Sequence, residues 1–397
     1  MKHKFTCAVL LCLTAAHVNA ELLPIKQVIS PIQGVTNTIK PIGHQVDDAL
    51  PLKPFELSKL LDVSETITTP LMTLPDTLAL SDVTGQLINE VKLADGSRAI
   101  EREWVMLSDK DAINILLKYG ALISQQKSYP ALDLHLVTFT VPSHLDSKSA
   151  LNSLLPQDIT RTLDRNHVFQ NQNEGSRTLE QDADPQHSPM CLDELNIGMV
   201  DTAIQQDHPA FAHSKITSRY LVDFNNVAPV NHGTAIAGTF VGKGQYFSPL
   251  LPNATLFSAA VFYKQSDYAQ GATMLNIVDG LNWLAEKGVK VINMSLAGPH
   301  NDVLALVINT LVEAGTVVVA AAGNEGPAAA PMYPAAYKQV IAVTAIDRQH
   351  HIYRWANQGE YIDFAALGVK VYTAHAKGGE GRETGTSMAS PVVAALA

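Results

Sequence analysis

The chain has 397 residues, of which 46% are hydrophobic and 17% are charged, and its formal net charge is −10. This length allows two or three domains, and the hydrophobic content is sufficient for a globular core. The acidic balance and the absence of a long basic run argue against a nucleic-acid-binding surface.

The first 20 residues have the pattern of a secretory signal peptide. Two lysines precede a short apolar stretch, and Val18-Asn19-Ala20 provides a small-residue cleavage site. The apolar stretch is too short to favour a transmembrane span. We therefore expect an exported protein, either periplasmic or secreted. Once residues 1–20 are removed, Cys191 is the single remaining cysteine, which excludes an intramolecular disulfide.

Three segments of different character follow. Residues 21–86 are rich in proline and predict a poorly ordered spacer. Residues 87–170 predict a small α+β domain. A predicted pair of strands flanks the turn at Asp95-Gly96, and a helical pattern of apolar residues ends at Gly120. Further along, "LDLHLVTFTVP" alternates like a strand, and "SKSALNSLLPQ" favours a short helix. Residues 171–190 are polar and predict a linker.

The pattern of apolar residues changes again in residues 191–397. Continuous apolar runs such as "NIGMVD", "VKVINMSL", "TVVVAAAGN" and "QVIAVTAID" predict buried strands, and "GATMLNIVDGLNWLAEKG" and "NDVLALVINTLVEAG" predict helices between them. This alternation indicates an α/β fold, a parallel β-sheet flanked by helices on both faces. In such sheets the chemistry gathers where strands end.

Three polar residues occupy positions of that kind. Asp201 closes "NIGMVD", His232 lies in "NHGTAIAG" at the start of a helix of small residues, and Ser387 opens the last helix. Each residue alone is more often a cap, a turn residue or a structural residue. Together, the order Asp, His, Ser is one of three chain orders known for the catalytic triad of serine hydrolases.

Over residues 196–397 the sequence resembles the subtilisin-like serine peptidases, or subtilases. "VDTAIQQDHPAF", "NHGTAIAGTFVG" and "GTSMASPVVAALA" are similar to the aspartate, histidine and serine motifs of that family. "VINMSLAGP" resembles its substrate-binding strand, and "AAAGNEG" resembles its oxyanion-hole motif. The chain departs from the family in two ways: Ala203 replaces the usual glycine, and the catalytic domain is expected to be truncated soon after the serine helix.

The resemblance implies a role for each matched residue. His232 would take the proton of Ser387, and Asp201 would orient the imidazole ring. The side-chain amide of Asn324 would donate to the oxyanion, together with the backbone N–H of Ser387. The expected substrate-binding residues are Ser295, Leu296, Ala297 and Gly298, which would pair with a peptide backbone, and Ala322 and Gly323, which would line the adjacent pocket.

Residues 87–170 resemble the propeptide that precedes the catalytic domain in bacterial subtilases. Such a unit would assist folding and inhibit the enzyme until the linker at 171–190 is cut. The alternative for this unit is an unrelated small binding domain. Together these patterns predict an exported serine endopeptidase made as a zymogen, whose partners are protein or peptide substrates and its own propeptide.

The remaining expectations concern cofactors and alternatives. No cofactor is required by the predicted chemistry, and calcium is implied by the family resemblance alone. His350 and His351 lack an accompanying set of ligands, so they do not predict a metal site. The alternative functions are a catalytically inactive peptide-binding protein on the same scaffold, and acyl transfer to an amine.

Overall fold

In a computed structural model of the chain, residues 74–171, 189–225 and 227–397 are described in full, and residues 23–24 and 174–177 by their backbone. The predicted signal peptide and most of the predicted spacer lie outside these ranges. The strands are β1 (Leu23–Pro24), β2 (Thr77–Ser81), β3 (Leu87–Lys92), β4 (Arg98–Leu107), β5 (Leu122–Tyr129), β6 (Leu134–Thr140), β7 (Asp164–Asn171), β8 (Glu174–Arg177), β9 (Asn196–Asp201), β10 (Lys215–Tyr220), β11 (Thr255–Ala260), β12 (Tyr263–Lys264), β13 (Gln270–Thr273), β14 (Val291–Met294), β15 (Leu296–Ala297), β16 (Val317–Ala321), β17 (Ile341–Ile346), β18 (Phe364–Leu367), β19 (Val371–Ala374) and β20 (Glu380–Thr384). The α-helices are α1 (Lys110–Lys118), α2 (Lys148–Leu154), α3 (Gln157–Thr160), α4 (Asn231–Val241), α5 (Met274–Glu286), α6 (Asp302–Glu313) and α7 (Thr386–Ala394).

The C-terminal half is built on an eight-stranded sheet with the order β1-β18-β17-β16-β14-β9-β11-β10. Neighbouring strands are parallel throughout, except that β1 runs antiparallel to β18. Strands β9, β16 and β17 are apolar and mostly buried, as expected for a sheet covered on two sides. The predicted α/β fold is therefore confirmed.

Alternate strand residues pack into two separate cores. Val200 and Val318 belong to a core that includes α5 and α6. Met199 and Val319, their neighbours along the same strands, belong to a second core that includes α4 and α7. Because successive side chains of a strand point to opposite faces, these helices cover both faces of the sheet.

The N-terminal unit has its own mixed sheet and its own core. The predicted turn at Gly96 connects β3 to β4 with a positive φ of 87°. The predicted helix before Gly120 is α1, and the predicted short helix is α2. The core of this unit gathers around the buried side chains of Trp104, Leu116 and Phe139.

Ordered structure begins earlier than the predicted boundary at residue 87. Strand β2 falls within the range 21–86 that was expected to be a poorly ordered spacer, and it pairs with β3. The turn between them is fixed by Asp82, whose Oδ1 accepts from the N–H groups of Thr84 and Gln86 at 2.8 Å each. Asp82 therefore stabilises the turn that connects β2 to β3.

The N-terminal unit packs against helices α5 and α6. Buried Tyr129 and Leu132 join the same core as these helices. Lys127 Nζ lies 2.7 Å from Asp279 Oδ1 on α5. At the start of α6, Asp164 Oδ2 accepts from the N–H of Asp302 at 2.9 Å. A carboxylate at a helix N-terminus satisfies a backbone donor and favours the helix dipole.

A buried carboxylate also joins the two units. Glu90 on β3 is fully buried and accepts from Tyr263 Oη and from Gln265 Nε2, each at 2.6 Å. Arg98 donates to the same carboxylate. Removing one partner from such a pair leaves a buried charge uncompensated, which is costly. The contact therefore ties the N-terminal sheet to the region after β11.

Within the described part of the chain, no helix combines the length and the apolar character needed to cross a bilayer.

Helix α4 approaches β19 so closely that a glycine is required between them. A Cβ at Gly238 would lie 2.3 Å from Thr373 Oγ1 and 2.8 Å from the backbone nitrogen of Ala374. We predict that Gly238→Ala lowers the free energy of unfolding by about 2 kcal/mol, although alanine normally favours a helix. Thermal unfolding would measure the change.

Gly280→Ala on α5 is the matched control. Its Cβ would meet only side-chain carbons, at 3.0 Å and 3.1 Å, so its effect should be much smaller. An unfolding temperature for Gly238→Ala equal to or above that of the parent would contradict the prediction.

Candidate active site

Asp201 and His232 meet at the carboxyl end of the parallel sheet. Asp201 is the last residue of β9, and His232 is the second residue of α4. The Nδ1 atom of His232 lies 2.7 Å from Oδ1 and 2.9 Å from Oδ2 of Asp201. Both side chains are buried. The structure therefore brings the predicted acid and the predicted base into direct contact.

This contact depends on the absence of a side chain at Gly233. A Cβ there would lie 2.3 Å from the backbone oxygen of Thr202. Instead, the N–H of Gly233 donates to Thr202 Oγ1 at 2.7 Å, and the N–H of Thr202 donates to Asp201 Oδ1 at 2.6 Å. Thr202 thus connects the start of α4 to the carboxylate.

Ala203, the departure from the family motif, does not disturb this geometry. Its N–H donates to the backbone oxygen of Pro229 at 3.0 Å. The turn after β9 therefore accommodates the methyl group, while the contact between Asp201 and His232 stays within hydrogen-bonding distance.

The surroundings of His232 set its basicity. Burial lowers the pKa of His232, but the charge and hydrogen bond of Asp201, together with the charge of Glu383, outweigh burial and raise the pKa overall. Its Nε2 atom is buried and has no hydrogen-bond partner among the described residues. A neutral ring that donates Nδ1–H to Asp201 therefore presents a basic nitrogen, as a general base requires.

Ser387 is held by a buried polar network at the start of α7. Its backbone oxygen accepts from Ser295 Oγ at 3.0 Å. Ser295 Oγ accepts from Asn293 Nδ2 at 2.9 Å, and Asn293 Oδ1 accepts from Ser390 Oγ at 2.6 Å. These bonds connect the first turns of α7 to the end of β14. The backbone N–H of Ser387 lies in the first turn of this helix, at its positive end.

Asn324 is oriented by Thr386, the residue before Ser387. The N–H and Oγ1 of Thr386 approach Asn324 Oδ1 at 3.0 Å and 3.1 Å. Because an N–H group donates only to an acceptor, the amide oxygen must face Thr386 and the NH₂ group must face away. Thr386 therefore links the two predicted oxyanion donors: it binds Asn324, and it directly precedes Ser387 in the chain.

Ala322 and Gly323 connect β16 to Asn324. The N–H of Ala322 donates to Val343 O at 2.9 Å, which keeps this segment attached to the sheet. Gly323 has a φ of 109°, and a Cβ there would lie 2.7 Å from the side chain of Asn357. The predicted pocket wall is thus a tightly packed segment without charged side chains.

Leu296 and Ala297 form β15 and pair with the N-terminal unit. In the antiparallel register, Leu296 lies opposite Asn171 and Ala297 lies opposite Gln170. On its other side, Gln170 lies opposite Gly271 of β13. The last residues of β7 therefore form a middle strand between β13 and β15. The predicted substrate-binding segment is occupied by the chain itself.

Phe169 fills the space beside Gly298. The aromatic side chain is fully buried, and a Cβ at Gly298 would lie 2.3 Å from its ring. Gly298 exchanges backbone hydrogen bonds with Tyr333, at 2.8 Å and 3.0 Å. The missing side chain at position 298 therefore makes room for a bulky residue of the bound strand.

Comparisons with known proteins identify the family of the chain. The model of the Subtilase family (Peptidase_S8) matches residues 193–397. The chain belongs to the subtilase family. Thermitase from Thermoactinomyces vulgaris is 34% identical over 208 residues, which cover 51% of this subtilase and 72% of thermitase. Subtilisin DY from Bacillus licheniformis is 33% identical over 209 residues, 51% of this chain and 75% of that protein.

Other relatives are covered over less of their length. The cuticle-degrading serine protease of Arthrobotrys oligospora is 35% identical over 209 residues, which cover 50% of this subtilase and 49% of that protein. Among solved structures, the prenylagaramide maturation protease PagA is 24% identical and has a TM-score of 0.45, covering 51% of this chain and 73% of that one.

Four residues of the site of this subtilase were not predicted from the sequence. Thr202, Asn293, Ser390 and Thr386 position the functional groups through the hydrogen bonds described above. The sequence contains one weak indication of their role, because each is a small polar residue at or inside an apolar segment. Their partners lie far away in the chain, so the sequence alone does not reveal the pairings.

His208 and His351 make structural contacts. His208 Nδ1 accepts from the N–H of Ala210 at 3.1 Å, and Nε2 lies 2.9 Å from Gly379 O. His351 Nδ1 lies 3.2 Å from Asp347 Oδ2. In the described ranges, no group of three His, Cys, Asp or Glu side chains is arranged to hold a metal ion. Calcium binding remains an expectation from the family.

We predict that Asp201→Asn lowers the pKa of His232. The wild-type pKa is raised because the carboxylate stabilises the imidazolium, and asparagine keeps the shape while removing the charge. The neutral, basic form should therefore persist to lower pH in the variant. NMR titration of the imidazole signal that disappears in His232→Ala would measure the shift.

Asp207→Asn, at an exposed position nearby, is the control and should leave the His232 titration unchanged. An equal pKa for His232 in the parent and in Asp201→Asn would show that Asp201 does not set the basicity of the ring.

Proposed function

We propose that this subtilase is an exported serine endopeptidase, made as a zymogen, that hydrolyses peptide bonds through an acyl-enzyme on Ser387. The observation that carries the proposal is the buried hydrogen bond between Asp201 and His232, in a member of the subtilase family. An acid that orients a base at the edge of a parallel sheet supplies what a weak serine nucleophile needs.

The proposed reaction has two halves. Ser387 Oγ attacks the carbonyl carbon of the scissile bond while His232 Nε2 accepts the hydroxyl proton. The tetrahedral intermediate collapses when His232 protonates the leaving amine, and the first peptide fragment departs. Water then attacks the acyl-enzyme by the same route, with His232 as base, and releases the carboxylic acid and the free serine.

Asn324 and the N–H of Ser387 are proposed to stabilise the negative oxygen of both intermediates. Support comes from Thr386, which binds the amide oxygen of Asn324 and so directs the NH₂ group elsewhere. The loss of one such side-chain donor costs about 3 kcal/mol of transition-state stabilisation, a magnitude established on a subtilisin rather than on this chain.

The zymogen part of the proposal rests on the strands that the chain forms before residue 172 and after residue 173. Strand β7 pairs with β15 up to Asn171, opposite Leu296. Strand β8 pairs with β20 from Glu174, opposite Thr384. Ser387 follows Thr384 by three residues in the chain. Ser295, which precedes Leu296, donates to the backbone carbonyl of Ser387. We therefore propose that self-cleavage occurs between Asn171 and Glu174, within the expected linker at 171–190.

We predict that a fluorophosphonate probe labels the protein at Ser387. The probe forms a covalent bond with a serine that has an adjacent base, so labelling should disappear in Ser387→Ala. Ser218→Ala, at a half-buried serine of β10, is the control and should be labelled like the parent. Labelled peptides can be located by mass spectrometry.

A folded parent protein that binds peptides without labelling or turnover would favour the alternative, a catalytically inactive peptide-binding protein. Labelling that persists in Ser387→Ala would place the nucleophile elsewhere. Either result would overturn the proposed mechanism.

We also predict the product of self-cleavage. Mass spectrometry of the expressed parent should find a new N-terminus at residue 172, 173 or 174, whereas Ser387→Ala should remain uncut. Ser218→Ala should be processed like the parent. Equal processing of parent and Ser387→Ala would indicate another protease, and a new N-terminus between residues 178 and 190 would contradict the path described above.

A further inference from the structure

Two glutamines of the β12–β13 hairpin, residues 263–273, bind side chains of strand β7. Gln265 Oε1 accepts from Gln170 Nε2 at 3.3 Å. Gln270 Oε1 accepts from Asn171 Nδ2 at 3.0 Å. The mechanism proposed above uses neither of these glutamines. Two successive side-chain amides of β7 are thus each bound by a side-chain amide of the hairpin.

The structure around Gln265 fixes the position of its side chain. The residue is buried, and its backbone N–H donates to Ala269 O at 3.0 Å. Gly271 leaves room for the amide, because a Cβ at that position would lie 2.8 Å from Gln265 Nε2. The Nε2 group donates to Glu90 Oε1 at 2.6 Å. Since only the NH₂ group can donate to a carboxylate, the amide oxygen faces Gln170.

The two amide contacts lie on opposite faces of β7. Gln170 and Asn171 are successive residues of the strand, so their side chains point in opposite directions. The backbone of Gln170 is held between Gly271 of β13 and Ala297 of β15. Because the two contacts share no side chain, we expect the loss of one to leave the other in place.

We propose that Gln265 and Gln270 make this subtilase selective for amide side chains at the two substrate positions that Gln170 and Asn171 occupy here. The inference rests on the proposed function, and it names the substrate class: polypeptides with adjacent glutamine or asparagine residues close before the scissile bond. Backbone pairing accepts nearly any sequence, so discrimination between substrates comes from side-chain contacts of this kind.

The selectivity follows from the hydrogen-bonding capacity of an amide. An apolar substrate side chain would cover the glutamine amide without replacing its bonds to water, which is unfavourable. Once Glu90 departs with the N-terminal unit, the amide of Gln265 is able to turn. A substrate amide carries both donors and an acceptor, so it pairs with Gln265 in either orientation. Each net hydrogen bond changes a binding constant by roughly two- to tenfold.

The first test compares peptides that span residues 164–180 of this chain, cleaved by the self-processed protein. Gln170→Met and Asn171→Leu in the peptide keep the approximate size of the side chain and remove the amide. Each change should lower kcat/KM roughly two- to tenfold, and the doubly changed peptide should lose the product of the two factors. The protein is the same in every measurement, so its folding does not affect the comparison.

The second test changes the hairpin as well as the peptide. In the Gln265→Met protein, Gln170→Met in the peptide should cause no further loss, because the contact is already absent, whereas Asn171→Leu should cause its full loss. The Gln270→Met protein should show the reverse pattern. Each result is a ratio of kcat/KM values within one variant, so it does not depend on how much of that variant folds.

Gln349→Met, at an exposed position after β17, is the matched control and should keep both preferences of the parent. Fluorophosphonate labelling of Ser387 reports the proposed function separately, because the probe has no side chains at the positions of Gln170 and Asn171.

If Ser387 is labelled but the unchanged peptide is cut no faster than the substituted peptides, or is not cut, the inference is wrong and the proposed function stands. The inference is equally wrong if both losses persist in the Gln265→Met and Gln270→Met proteins. If neither labelling nor cleavage occurs, the inference and the proposed function fail together. Losses that vanish only in the matching variant would establish Gln265 and Gln270 as specificity-determining residues.

Discussion

The site depends on the close approach of helix α4 to the end of strand β9. At Gly233 the helix comes so near the backbone of Thr202 that no side chain fits. This approach lets Asp201 meet His232 inside the protein. The hydrogen bond between them offsets the cost of burying the carboxylate away from water. A side chain at position 233 would separate them, and the carboxylate would then be buried without its partner.

Short hydrogen-bond networks fix the helix that carries Ser387 relative to Asp201 and His232. Asn293 and Ser295, at the end of β14, hold the start of α7 through Ser390 and Ser387. The helix that carries Ser387 is thus fixed to β14, which lies next to β9, the strand that ends at Asp201. Groups from segments nearly two hundred residues apart in the chain are therefore held by the same sheet.

The sequence predicted the parallel sheet, its helices and the polar residues at its edge, because apolar runs and motif residues are local signals. The pairing of β8 with β20 has no local signal: residues 174–177 are polar, and their partner is about two hundred residues away. Strand β2 was missed for a related reason, since the proline-rich composition around it concealed the turn at Asp82. The bridges through Thr202 and Asn293 likewise depend on contacts that arise only after folding.

The position of β7 as a middle strand would separate the proposed self-cleavage from activation. Cutting the chain after Asn171 breaks a covalent bond but none of the ladders that hold β7 between β13 and β15, nor the contacts of Glu90 and Asp164 with the other unit. Under the proposed zymogen mechanism, a cut molecule would therefore remain blocked until the whole unit dissociates. Activity in a population would begin with a lag and then accelerate, as the first open molecules digest the units that others release.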